Sequence, residues 1–146
     1  MILAAHLFLG ALIGTAVKSL PIAILLSFLS HYVLDIIPHT EYSIEKIKSR
    51  DWKNSIPEFL KVSIDLLAPL AFILFLSMDL RITFVSLFSI IPDGLDFLGI
   101  LFPNRLTQQH RAFHQKIHFL KHIKMPHFLR WASQIVVILV SAYLIY

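Results

Sequence analysis

Residues 27–42 read SFLSHYVLDIIPHTEY, and this stretch joins an apolar helix to groups that are costly in hydrocarbon. It places His31, Asp35 and His39 within nine residues. Pro38 predicts the end of the helix, because the residue before a proline disfavours the α region. The stretch therefore predicts a membrane helix that delivers polar side chains at one of its ends.

The composition predicts an all-α, multi-pass membrane protein with a single integral-membrane domain, residues 1–146. Hydrophobic residues make up 57% of the chain and charged residues 15%, against about 45–50% and about 25% in soluble domains. The mean hydropathy is +0.74, more apolar character than a soluble chain of this size could bury. The chain has no cysteine, which excludes disulfides and thiolate metal sites.

Apolar segments in five places predict about five membrane helices. Most are near the lower end of the roughly 17–25 residues that a crossing requires. Gly10 and Gly14 form a GxxxG pattern in the first segment, which predicts a close approach of another helix. The segments cover residues 1–17, 20–38, 59–78, 82–102 and 127–146.

Two long basic loops, residues 40–55 and 103–126, predict the orientation in the membrane. With five crossings, both loops and the N-terminus share one side, and their Lys and Arg content makes that side cytoplasmic. The net charge of +4 then reflects loops at an anionic membrane surface, so the expected partners are membrane lipids and not nucleic acid. The pattern leaves the oligomeric state open.

Ionisable side chains inside the apolar segments are the first candidates for function. Each mid-membrane carboxylate costs roughly 2.5–3.5 kcal/mol on the insertion scale. No lysine or arginine lies deep in these segments, so either the aspartates are protonated or cations lie among them. The predicted topology places all of these groups toward the cytoplasmic side. They are His6, His31, Asp35, Asp65, Asp93 and Asp96.

Local spacing places some of these groups together. His31 and Asp35 are four residues apart, and Asp93 and Asp96 are three apart, so each pair shares a helix face. Pro92 and the glycine after Asp93 predict a break in the fourth helix at this point. Broken intramembrane helices are tolerated where they line a cavity.

The second basic loop contains QQHRAFHQKIHFLKH, residues 108–122, with a histidine at every fourth position. This pattern predicts a His-rich helix on the cytoplasmic side. His110 and His114 have the HxxxH spacing that helical zinc sites use. The roles of His118 and His122 stay open, because a solvated cationic helix could carry the same pattern.

Imidazole and carboxylate groups without thiolate suit a divalent metal, with zinc favoured and manganese or iron as alternatives. The candidates outnumber the ligands of one tetrahedral site, which predicts one to three ions, as in hydrolases of phosphate esters. No other cofactor is expected. The candidate ligands are His6, His31, Asp35, Asp93, Asp96, His110 and His114.

Three further residues are candidates for catalytic roles. Asp65 and His39 would act as ligands or would orient ligands, as the neighbours of metal-bound groups often do. Arg111 would hold a phosphoryl oxygen. A contact with a lipid headgroup is an equal alternative for Arg111.

These residues resemble the YdjM-like family of membrane-bound, metal-dependent hydrolases. The matching pieces are His6 followed by Gly10, SHYVLDIIPH, IPDGLDF and HRAFH, and they span nearly the whole chain. Family members commonly carry PDxD, where this chain has PDGLD. HYVLDIIPH is also similar to a shortened form of the signature of zinc-dependent phospholipases C. The second similarity implies a multi-zinc site that acts on a phosphodiester or phosphomonoester.

The prediction for function is a membrane-embedded hydrolase that uses a metal-activated water on a phosphorylated or lipid-linked substrate. A small transporter, or a proton or metal-ion relay, would also use intramembrane Asp and His. A non-catalytic membrane scaffold would hold the same groups paired with one another. One-sided clustering favours the hydrolase over a conduit, which needs polar groups through both leaflets.

Overall fold

The computed structural model describes residues 1–119 and 125–146, and every regular element in these residues is helical. The all-α prediction is therefore confirmed for this part of the chain. A 3-10 turn at Trp52–Asn54 lies between the third and fourth helices. The helices are α1 Leu3–Ala16, α2 Leu20–Ile36, α3 Glu45–Lys48, α4 Ile56–Ser77, α5 Leu80–Phe88, α6 Ile91–Leu101, α7 Arg105–Ile117 and α8 His127–Ile145.

Two helices, α4 and α8, are long and apolar enough to cross a membrane. The pair α5 and α6 makes a third candidate if it is one span, with a bend of 53° between its halves. Large apolar side chains on α4 and α8 are exposed, as lipid contact requires. The prediction of five crossings is thus confirmed only as far as two or three candidate spans.

The first helix, α1, is short because it lies inside the bundle. It has 14 residues, which corresponds to about 21 Å against a hydrocarbon core of about 30 Å. Most of its residues are buried, and it packs against α2, α4, α5 and α8. A helix that ends within the protein must find partners for its terminal N–H and C=O groups.

Side chains from other helices supply those partners at both ends of α1. At the N-terminus, the backbone N–H groups of Leu3 and Ala4 donate to the Asp65 carboxylate at 2.7 and 3.2 Å. At the C-terminus, Arg81 donates to the carbonyl of Gly14 at 2.7 Å and to the carbonyls of the two residues that follow α1. The negative cap at the N-terminus and the positive cap at the C-terminus both match the helix dipole.

The two glycines of the GxxxG pattern allow the close approach of neighbouring helices that the sequence predicts. A Cβ atom on Gly10 would lie 2.8 Å from Ser27 Oγ and 2.9 Å from Ser89 Cβ. A Cβ atom on Gly14 would lie 3.2 Å from Val85 Cβ. The two glycines therefore let α1 lie directly against α2 and α5.

The break in the fourth apolar segment lies between α5 and α6, just before Pro92 and not around Asp93. Pro92 occupies the first turn of α6, where a missing N–H costs no helical hydrogen bond. Gly94 lies within α6. The break leaves the carbonyl of Ser89 free to accept from His31 Nδ1 at 2.7 Å, and it places Asp93 in the first turn of α6.

Candidate metal centre

Asp35 lies at the centre of a cluster of histidines. Its side chain is buried, and the Nε2 atoms of five imidazoles lie 3.9 Å or less from its oxygens. These rings come from α1, α2, the segment after α2, α7 and the residue after α7. The distances are 3.3 Å to His6, 3.0 Å to His31, 3.9 Å to His39, 2.8 Å to His114 and 3.5 Å to His118.

The end of α2 delivers three of these groups, as the spacing predicts. His31 and Asp35 share a buried face of the helix. The helix ends at Ile36, before Pro38, and the chain then brings His39 to the far side of the carboxylate. The placement of all three groups around one point follows directly from the stretch SHYVLDIIPH.

Hydrogen bonds at Nδ1 orient three of the imidazoles so that Nε2 faces Asp35. A neutral imidazole that donates from Nδ1 carries its lone pair on Nε2. Metal-binding histidines make the same kind of Nδ1 contact, which fixes the ring and its tautomer. The acceptors are the Ser89 carbonyl for His31 at 2.7 Å, the Ile37 carbonyl for His39 at 2.7 Å and the Asp96 carboxylate for His114 at 3.0 Å.

Ligand atoms of His31, Asp35, Asp93 and His114 converge closely enough to hold one metal ion. The Nε2 atoms of the two histidines are 3.1 Å apart, and Asp93 Oδ1 lies 3.6 Å from His31 Nε2. Tetrahedral ligands at about 2.0–2.2 Å from zinc lie about 3.3–3.6 Å from one another. The separations in this group range from 2.8 Å, between His114 Nε2 and Asp35 Oδ2, to at most 4.8 Å, and they bracket this edge length, so the four side chains are close enough together to hold one ion.

His6 contributes a fully buried imidazole beside Asp35. Its ring is fully buried and stacks on His31 with the ring centroids 4.1 Å apart. Neither ring nitrogen makes a hydrogen bond to a described residue, although Nε2 lies within ion-pair distance of Asp35. His6, a candidate ligand from the sequence, is a member of neither candidate metal-binding group among the described residues.

A second group consists of Asp35, His39 and His118, so Asp35 belongs to both groups. Burial lowers the pKa of His118 to about 4, which leaves the ring neutral and able to bind a metal at pH 7. The α-amine of Met1 also contacts this group, 2.8 Å from His39 Nε2. His122 lies outside the described residues.

Asp96 and His110 are members of neither candidate metal-binding group among the described residues, although they lie beside one of them. The two Asp96 oxygens contact Nδ1 of His110 and Nδ1 of His114 at 3.0 Å each. His110 Nε2 lies 3.2 Å from the Tyr32 hydroxyl. Burial alone would lower the pKa of His114, but hydrogen bonds to Asp35 and Asp96 raise it to about 10. Without metal, His114 therefore carries a proton between two carboxylates.

The three candidates for catalytic roles lie in different places. His39 belongs to the second metal-binding group. Asp65 caps α1 and is a member of neither group that the described residues form. Arg111 lines a cavity beside the cluster.

That cavity has a volume of about 620 Å³, within the range of small-molecule sites. Asp93, His114 and His118 form the part of its wall that faces the metal-binding groups. Arg111 and Lys48 add positive charge to the lining. The apolar part of the lining comprises Leu3, Ile44, Val62, Leu66, Ile90, Phe97 and Ile100.

Sequence reasoning missed Ser89, Tyr32 and Glu41 as neighbours of the site. Ser89 acts through its backbone carbonyl, and the nearby proline was the only signal for that. The Glu41 carboxylate lies 3.1 Å from His39 Nε2 and 3.9 Å from His118 Nδ1. Its position two residues after His39 could have suggested this contact.

The chain matches no family model, no curated protein and no solved structure in the comparisons made. The geometry of the cluster and of the cavity therefore carries the functional interpretation.

Proposed function

We propose that this protein is a membrane-embedded, metal-dependent hydrolase of a phosphate ester or lipid-linked substrate. The observation that carries the proposal is the convergence of imidazole Nε2 atoms and carboxylates on Asp35 at the wall of a cavity. The resemblance to the YdjM-like family supports the same reaction class. Zinc is the favoured metal because the candidate ligands are imidazoles and carboxylates without thiolate.

In this proposal His31, Asp35, Asp93 and His114 would hold one ion, and Asp35, His39 and His118 form a second group that would hold another. Bound metal would supply a water of pKa about 7 and a positive charge for the phosphoryl group. Asp96 keeps the His114 ring aimed at the metal site through Nδ1.

Arg111 lines the same cavity as Asp93, His114 and His118, and it would bind a phosphoryl oxygen there. Its planar guanidinium offers several donors that match the oxygens of a phosphate. A cation there would stabilise the negative charge that develops as the phosphate ester breaks.

The proposal places the site at the cytoplasmic face of the cell membrane, with about five membrane helices and with α7 as a His-rich helix on that side. The cluster lies at the end of the bundle that carries both basic loops, which supports this orientation. Because the chain has no cysteine, single cysteines can report it. Cysteines at Asn54 and Gln108 are expected to react only from the cytoplasm, and one at Ser19 only from outside. Labelling of both loops from outside would invert the orientation.

Metal analysis of the purified protein tests the function most directly. We expect one to three divalent transition-metal ions per chain, and metal-dependent turnover of a generic phosphodiester or phosphomonoester. His31→Ala should lose both, whereas His127→Ala should lose neither, because His127 is exposed and belongs to neither metal-binding group. Folded protein that binds no zinc or manganese would refute the proposal.

A non-catalytic scaffold remains a second candidate because the polar groups also contact one another. His114 lies between Asp35 and Asp96 in the manner of a buried ion-pair network. Removing one partner from such a network typically costs about 3–5 kcal/mol. Unfolding of His31→Ala in the presence of a chelator would favour the scaffold.

A further inference from the structure

The cavity beside the candidate metal-binding groups is lined by two chemically different sets of side chains. One set, here called the apolar wall, comes from α4 and α6 and includes Val62, Leu66 and Phe97. The other set, here called the charged wall, includes Arg111 from α7 and Lys48 from the end of α3. A ligand that satisfies both walls must be apolar at one end and anionic at the other.

The Arg111 guanidinium makes no ion pair or hydrogen bond to another side chain or carbonyl in residues 1–119 and 125–146. Lys48 lies 3.6 Å from Glu45 in a partly exposed pair, which is worth little. The acidic groups of the lining are already in contact with histidines: Glu41 with His39, Asp93 with His31, and Asp96 with His110 and His114. Arg111 is therefore available to an anion.

The position of the apolar wall points to a lipid as the source of the apolar end. It is formed in part by α4, a candidate membrane span whose side chains Leu60, Ile64 and Leu67 are exposed. A chain lying in the bilayer could reach Val62 and Leu66 by passing beside this helix.

We propose that the cavity binds a lipid phosphate, with the phosphate between Arg111 and the metal-binding groups and the alkyl chain against α4 and α6. This inference rests on the proposed function and names its substrate class. A water-soluble phosphate ester would share the anionic contact but would leave the apolar wall empty.

A probe that cannot be hydrolysed separates binding from turnover. Dodecyl phosphonate with a diazirine at its terminal carbon is photolysed with the metal-loaded protein in phosphatidylcholine nanodiscs, and the cross-links are mapped by mass spectrometry. We expect labels on the part of α4 around Val62 and on α6 around Phe97. We also expect unlabelled dodecyl phosphonate to prevent cross-linking by the diazirine probe at roughly a hundredfold lower concentration than butyl phosphonate. The reason is that its longer chain buries more apolar surface. Equal competition and no label on α4 or α6 would identify a soluble ester and overturn the inference.

Paired variants test each wall. Val62→Trp should reduce labelling about tenfold by filling the cavity, whereas Ile64→Trp on the lipid-exposed face of α4 should not change it. Arg111→Gln should weaken phosphonate binding about tenfold or more, while Arg105→Gln on the same helix should not. Equal labelling by a dodecanol probe, or no effect of Arg111→Gln, would mean a general lipid contact and would overturn the inference.

The outcomes also separate this inference from the proposed function. Labelling of both helices that depends on Arg111, in protein without metal-dependent turnover, would support the lipid phosphate site and refute the hydrolase. Metal-dependent turnover of p-nitrophenyl phosphate, with no labelling in the cavity, would support the hydrolase and overturn the lipid phosphate site. The wild-type cross-links decide the question even if a variant fails to fold.

Discussion

Asp35 and Asp65 look alike in the sequence, but their surroundings in the structure differ in kind. Both are aspartates in apolar helices, and both lie at the same end of the bundle. Asp35 is surrounded by imidazole Nε2 atoms, whereas Asp65 accepts hydrogen bonds from the backbone N–H groups of Leu3 and Ala4. A carboxylate in an apolar helix can thus serve either a binding site or the end of another helix.

The chemical difference lies in what the partners can release. A backbone N–H keeps its hydrogen, so the two N–H groups that donate to Asp65 have no lone pairs to offer a metal ion. Imidazole can give up its proton and bind metal through the freed nitrogen. The imidazoles around Asp35 can therefore exchange protons for a cation, and the backbone N–H groups that hold Asp65 cannot.

The largest effect should come from Asp35→Asn, because Asp35 belongs to both metal-binding groups. We expect metal content to fall to background and metal-dependent turnover to fall by about a hundredfold or more. Thermal stability in detergent with a chelator should be retained, since a buried charge has been removed. A loss of about 3–5 kcal/mol in the chelated protein would instead identify a structural ion network.

Asp96→Asn is expected to have a smaller effect on metal binding than Asp35→Asn. Asp96 orients the rings of His110 and His114 through their Nδ1 atoms, and such supporting contacts are typically worth about 10–100-fold in metal affinity. The measurement is a zinc titration against a chelator of known affinity. If the affinity is unchanged, His114 does not bind metal in the manner proposed.

The smallest effect on the metal site should come from Asp65→Asn, which changes a helix cap. Loss of charge-assisted hydrogen bonds to two backbone N–H groups should lower the free energy of unfolding by about 1–3 kcal/mol. Metal content per folded chain should stay at the wild-type value. Loss of metal with unchanged stability would place Asp65 in the metal centre and end the contrast with Asp35.

The candidate site could be predicted from the sequence where its residues are close together in the chain. His31, Asp35 and His39 follow from helix spacing and from a proline stop, and each lies where these rules predict. Which residues belong to the candidate metal-binding groups, and which only orient those residues, could not be predicted in this way. Asp93 and Asp96 share a face of α6, yet Asp93 joins a candidate metal-binding group, whereas the two Asp96 oxygens contact the Nδ1 atoms of two histidines of α7.

Composition and periodicity alone determined that this chain is helical, apolar enough for a membrane, and polar at one end, because hydrophobicity and helix spacing are local properties. Only the tertiary structure decided that α1 lies inside the bundle. Asp65 and Arg81 cap its two ends, so these contacts and not the thickness of a bilayer set the length of the helix. The tertiary structure likewise decided which histidine nitrogens face Asp35. That choice depends on a carbonyl freed by a helix break and on a carboxylate from a neighbouring helix, contacts that spacing within one segment cannot specify.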